Sequence, residues 1–177
     1  MSLLSGLRGG SDVGFDSYGA FVREHIPDPG PFLSDTAVLT GTDHAAFHRH
    51  TMDLFEERGV YDMTFGYNLA RLNLDHRHPD AGFRYGRDPD DSSVLRAEFT
   101  PTTEFCPQSD TLTVGAFRAW NGLSDRHEYD LVRVRVSPAH HQSTEINDKL
   151  TRLETRYRET GELRTDGQDE SAGSAPF

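Results

Sequence analysis

A chain of 177 residues holds one domain with a true core plus tails, and leaves no room for a second full domain. Its formal net charge is -11, Lys149 is the only lysine and just 34% of residues are hydrophobic, which argues against sequence-independent nucleic-acid binding, since that needs basic side chains to neutralise phosphates. The same bias suits a high-salt cytoplasm, where salt screens self-repulsion and carboxylates hold water, and an aromatic content of 10% sets the middle of the chain apart from acidic disordered sequences.

Residues 1–40 are rich in Gly, Ser, Asp and Pro and read as a flexible, partly ordered N-terminal extension, with one short helix around Phe15 to His25 ended by IPDPGP. The opening MSLLSGLRGGSDVG is too short and too interrupted by glycine for a signal peptide, and no apolar run is long enough to span a bilayer, so a cytoplasmic protein is expected. A helix is predicted from Thr42 or Asp43, as N-cap, to Arg58, closed by Gly59, with Ala46, Phe47, His50, Leu54 and Phe55 as its apolar face. Strands are expected around Val60 to Phe65 and Asn68 to Leu74, the second alternatively part of an irregular hairpin, then a polar loop from His76 to Ser93.

Val94 to Thr100 alternates as a strand. Asp110 to Asn121 repeats Leu112, Ala116, Ala119 and Trp120 at helical spacing, with Asp110 as its expected N-cap. In YDLVRVRV (Tyr129 to Val136), Val132, Val134 and Val136 share one face and Arg133 and Arg135 the other. A last helix follows from Ser143 to Arg158 on the stripe Ile146, Leu150, Leu153 and Tyr157, and residues 159–177 read as a disordered acidic tail. The predicted fold is a two-layer α+β domain over residues 41–158, a small mixed sheet with helices packed on one face.

Cys106 is the only cysteine, which excludes an internal disulfide and any Cys-x-x-Cys centre. It lies between a strand and a helix start, where unpaired N–H groups and the helix dipole favour a thiolate over the free thiol, whose ordinary pKa is roughly 8.5. Thr100, Thr102, Thr103, Ser109 and Thr111 surround it in sequence as hydroxyl donors, and Pro107 fixes the turn. His140 and His141 follow the neighbouring strand, where a base or ligand can approach the thiol across the same sheet edge, neighbouring side chains there being expected to alternate in direction; Glu145 and Asn147 are further candidates for the pocket. His44 and His48 are spaced i, i+4 with His50, His76 and His78 elsewhere, but HAAFH lacks the glutamate of HExxH, so a solvated helix face is expected there rather than zinc.

The runs FTPTTEFCPQSDTLTVGAF (Phe99 to Phe117) and SPAHHQSTEINDKL (Ser137 to Leu150), with LFEERGVYDM (Leu54 to Met63) upstream, resemble the iron-sulfur cluster assembly domain family. That family includes bacterial SufT-like and PaaD-like proteins and the eukaryotic cytosolic iron-sulfur assembly targeting subunits. The resemblance implies the same kind of fold, a reactive cysteine at Cys106 and a histidine at His141. The family's Asp-Pro-Glu motif has no counterpart near Thr42 to His50. The implied function is a non-enzymatic cytoplasmic assembly or target-maturation factor for a transient iron-sulfur cluster or iron, working with carrier or scaffold proteins and recipient apoproteins. One cysteine cannot supply a full ligand set, so a homodimer or a heteromeric complex must complete coordination. Two other classes stay open: a thiol enzyme, peroxidase or hydrolase, with Cys106 as nucleophile and His141 as base, and a scaffold that keeps the fold without the chemistry.

Overall fold

The structure, a computed structural model, describes residues 15–16, 21–63, 66–161 and 163. Its main elements are β1 (Ala37–Val38), α1 (Gly41–Arg58), β2 (Tyr61–Asp62), β3 (Tyr67–Asn68), a 3-10 helix (Leu69–Leu74), β4 (Gly82–Arg87), β5 (Val94–Thr100), α2 (Ser109–Gly122), β6 (Leu131–Val136) and α3 (Ser143–Thr160). Strands β1, β4, β5 and β6 form one sheet in that order, and β2 pairs with β3 in a separate hairpin. The β1–β4 and β4–β5 pairs are antiparallel, while β5 and β6 run parallel because α2 carries the chain back across the sheet. This is the α+β architecture expected from the sequence.

Strand alternation decides what each face meets. Phe83, Tyr85, Leu95, Ala97, Phe99, Val132, Val134 and Val136 fall in lateral register on one face, all buried. Phe55 from α1 and Trp120 from α2 pack on it, with ring centroids 5.9 Å and 5.1 Å from Phe83. The opposite face carries Arg84, Arg96, Glu98, Arg133 and Arg135. The chain before β1 straps this charged face: Gly30 N–H donates to Glu98 Oε1 at 2.6 Å, Arg84 donates to Pro27 O at 3.0 Å, and the Phe32 ring lies 5.1–5.4 Å from three guanidinium carbons. Burial pushes the Glu98 carboxyl above its ordinary pKa, against the hydrogen bonds from Gly30 and Phe32. Residues before 41, read from the sequence as an extension, thus supply β1, buried Leu33 and Leu39, and the cover of one sheet face.

β6 would be an open edge, and asparagine side chains close it. Asn121 accepts from Val132 N–H at 2.9 Å and donates to Val132 O at 3.0 Å; Asn147 does the same at Val136, at 2.7 Å and 3.0 Å. A primary amide offers one donor and one acceptor side by side, as a neighbouring strand would. Asn73 pairs in this way with Phe83 on β4.

Several expectations are corrected. Of Asn68 to Leu74 only Asn68 lies in a strand, at the end of the β2–β3 hairpin; its Oδ1 accepts from Ala70 N–H at 2.9 Å and caps a 3-10 helix from Leu69 whose leucines are buried. The expected loop from His76 to Ser93 contains β4, in which Phe83 and Tyr85 alternate with Arg84 and Gly86. α1 ends at Gly59 as expected, in the left-handed region at φ 69°, but its N-cap is Thr40 and its face is turned: His44, Ala45, His48 and Thr51 are buried, whereas Ala46 and His50 are exposed. The expected tail lies almost wholly outside the described residues, as do the opening residues and part of the expected helix around Phe15 to His25. Among the described residues, no helix is long and apolar enough to cross a membrane.

The i, i+4 histidines therefore sit in the core, not on a solvated face. His48 Nε2 donates to Ala70 O at 2.6 Å, so Nδ1 is the acceptor for Tyr85 O–H at 2.5 Å; Trp120 Nε1 donates to Thr51 Oγ1 at 3.0 Å. Burial lowers the His48 pKa to about 4, opposed by the Ala70 carbonyl, and that of His44 to about 2, with His48 and Arg84 adding to burial. Both nitrogens of His48 are spent, so the pair does not chelate.

Candidate functional site

β5 ends at Thr100, and the chain crosses residues 101–108 before α2 begins. Here a short turn is built from its own groups: Cys106 N–H donates to Thr103 O at 3.3 Å, Phe105 N–H to Thr103 Oγ1 at 3.3 Å, and Ser109 N–H to Cys106 O at 3.4 Å. The thiol is half-buried on this turn. It stands beyond the carboxyl end of β5, next to the parallel strand β6, where α/β sheets commonly leave a crevice for ligands.

Both histidines of the β6–α3 connection reach this turn, and both do so through backbone carbonyls. His140 is buried, and its Nε2 donates to Cys106 O at 2.8 Å while Nδ1 accepts from Gln142 N–H at 3.0 Å. Its proton is therefore on Nε2 and no lone pair remains for the thiol. His141 is exposed; its backbone N–H and its Nδ1 both donate to Glu104 O at 2.9 Å. With Nδ1–H fixed on a carbonyl, His141 Nε2 keeps its lone pair, and among the described residues it has no partner. A carbonyl behind the far nitrogen is how imidazoles are oriented as bases or metal ligands. The expectation that only His141 would reach the cysteine turn is corrected: His140 is the buried strut, because the turn after Val136 no longer alternates as a strand does.

The other expected residues divide. Thr100 and Thr102 are half-buried beside the turn and Thr103 organises it. Ser109 is fully buried, and its Oγ has no partner. Thr111 instead lines a groove of about 210 Å³ with Arg58, Tyr61 and Arg118. Glu145 is exposed on the first turn of α3, and Asn147 is occupied by the β6 edge. Asp110 is not the N-cap: Gln108 holds that position, and Asp110 pairs with Lys149 at 3.0 Å.

Two functional candidates went unnoticed in the sequence. Among the described residues, Phe105 and Met63 are the exposed large hydrophobics, 63% and 80% exposed. Phe105 adjoins Cys106 and packs on His141 at 4.8 Å, and Met63 N–H donates to Gln108 Oε1 at 2.9 Å, two residues past the cysteine. An aromatic residue inside a polar Thr/Glu run was the available signal for the first. A larger cavity of about 450 Å³ lies at the other end of the sheet, among Asp43, Phe47, His50, Arg87, His127 and Tyr129. There burial depresses the His127 pKa, and its Nε2 is engaged by Trp120 O at 2.9 Å.

A family described as Domain of unknown function (DUF7998) matches residues 13–164, nearly the whole chain. The chain belongs to the DUF7998 family. The DUF7998 match takes in both the strap before β1 and the Cys106 turn. No curated protein matches the chain significantly.

Proposed function

We propose that this protein is a cytoplasmic iron-sulfur cluster assembly or target-maturation factor, with Cys106 as the thiolate that receives or transfers the cargo. The observation that carries the reading is the setting of the thiol: half-buried, on a turn held by two imidazoles, and next in sequence to exposed Phe105. A single cysteine cannot complete an iron site, so a donor from another chain must come to it. An exposed apolar side chain beside the only thiol is what such a docking step uses, since it loses contact with water when a partner covers it. In this reading His141 Nε2, whose lone pair is left over from the Glu104 hydrogen bond, acts with the thiolate toward iron.

Anaerobic reconstitution with iron and sulfide tests this. The wild type should develop visible charge-transfer absorption at fewer than one cluster per chain, and Cys106→Ser should not. Equal absorption in both, or none in either at any protein concentration, would count against a cluster-handling thiol. The thiol-enzyme alternative shares the residues but needs His141 Nε2 as base; it predicts no such bands and turnover of a peroxide or ester instead.

A further inference from the structure

Away from the cysteine turn, three side chains from distant parts of the chain converge. Asp16 Oδ2 lies 2.9 Å from His25 Nδ1, and Asp16 Oδ1 lies 2.5 Å from His76 Nε2. The three donor atoms all fall within 4.8 Å of one another, and the two imidazole rings stand 4.4 Å apart, tilted by 37°. The placement is built rather than incidental. Asp16 N–H donates to Leu74 O at 2.7 Å, and Phe15 forms a bridge with Asp75, which pins Asp16 over the end of the Leu69–Leu74 helix that leads to His76. The Phe15 ring carries the Arg71 guanidinium at 4.1 Å and meets Tyr67 edge-on at 5.7 Å.

The charges make this carboxylate unusual. Arg77, the residue after His76, is committed to Asp75 through bonds of 2.7 Å and 2.8 Å. Among the described residues, the ion-pair partners of Asp16 are imidazoles alone. Two ring nitrogens and one carboxylate form a donor set of intermediate softness, suited to divalent transition-metal ions. An ion about 2.0–2.2 Å from each donor needs donors roughly 3.3 Å apart, a spacing that sub-ångström side-chain shifts reach from the distances here. The Asp16 side chain is 11% exposed, against 31% for His25 and 39% for His76, so the carboxylate sits inside and the imidazoles rim an opening to solvent.

We propose that Asp16, His25 and His76 bind one divalent transition-metal ion, with Zn²⁺ as the probe, leaving a coordination position open to water and tying Asp16 and His25 to the end of the Leu69–Leu74 helix. The site owes nothing to Cys106 and stands or falls apart from the cluster reading.

The experiment uses the full chain carrying Cys106→Ser, so that no thiolate contributes. Calorimetric titration with Zn²⁺ should give one site, and Co²⁺ should give the intense d–d absorption of a four- or five-coordinate ion. Asp16→Asn, His25→Gln and His76→Gln should each weaken Zn²⁺ binding by more than about tenfold, since losing a direct ligand should cost at least as much as losing the groups that orient one. His50→Gln, on the exposed side of α1, should leave it unchanged. Zn²⁺ should also slow tryptic cleavage after Arg23 in the parent and not in His76→Gln, a readout independent of affinity. No saturable site, binding that survives all three substitutions, or protection at Arg23 that persists in His76→Gln would each overturn the proposal.

Discussion

Acidification from pH 7 to 4.5 should remove stability through the core histidines before the carboxylates are fully protonated. His48 is neutral in the fold, with its pKa lowered by burial from 6.5 to about 4. Between those values the unfolded chain binds a proton that the folded chain does not, so stability falls as pH falls through that window and is whole above 6.5. Two and a half pH units at about 1.4 kcal/mol each give a loss of roughly 3 kcal/mol from His48 once pH 4 is reached. His44, lowered further by burial and by its neighbours His48 and Arg84, acts with the same sign over the same range. Against a total of about 5–15 kcal/mol for a domain, this is enough to set the acid limit. Urea denaturation at constant ionic strength, repeated from pH 7 to 4.5, measures the slope. His48→Gln keeps a neutral side chain at every pH; it should be less stable at pH 7 but lose about 1.4 kcal/mol less per pH unit below 6.5. Parallel curves for the two proteins would show that His48 is not held neutral by the fold, and would refute the reasoning.

Asn121→Leu should cost roughly 2–5 kcal/mol in urea denaturation, because both backbone groups of Val132 lose their partners at a buried edge; a loss under about 0.5 kcal/mol would mean that the amide does not close β6. His140→Ala should loosen the cysteine turn and speed alkylation of Cys106 by roughly tenfold, the equivalent of one buried hydrogen bond of about 1.4 kcal/mol. His141→Ala should change that rate less, and the reverse order would remove His140 as the strut. With a net charge of -11, the melting temperature should rise between about 0.1 M and 2 M potassium chloride as repulsion is screened. A flat or falling melting temperature would speak against adaptation to high salt.

The elements that sequence made legible are those whose residues obey one period. β6 shows valines on one face and arginines on the other, and α2 and α3 carry clear apolar stripes; all three lie within two residues of the expected bounds. What was hidden follows from residues whose burial depends on partners far along the chain. β4 was obscured because Arg84 and Gly86 face the strap rather than solvent and Gly82 lies against Asn73, and Arg84 is buried only once Pro27 O accepts its N–H hydrogen bond. His44 and His48 read as polar surface because nothing local reveals Tyr85 and Ala70 waiting across the core. The cysteine turn was legible as a strand-to-helix junction, but the choice between His140 and His141 was not, since it depends on two carbonyls of another loop. Asn147 looked like a pocket residue for the same reason: its role is fixed by the edge of β6, a feature of the sheet as a whole.

The central claim, that Cys106 handles iron-sulfur cargo for another protein, is tested most directly by transfer. Protein reconstituted anaerobically is mixed with an apo-ferredoxin, the two are separated by size, and cluster absorption is read on the acceptor. The account predicts that the acceptor gains its cluster faster from the wild-type protein than from iron and sulfide alone, that Cys106→Ser gives only the background rate, and that Phe105→Ser slows transfer while leaving reconstitution intact. Transfer at the same rate with and without the thiol would contradict it.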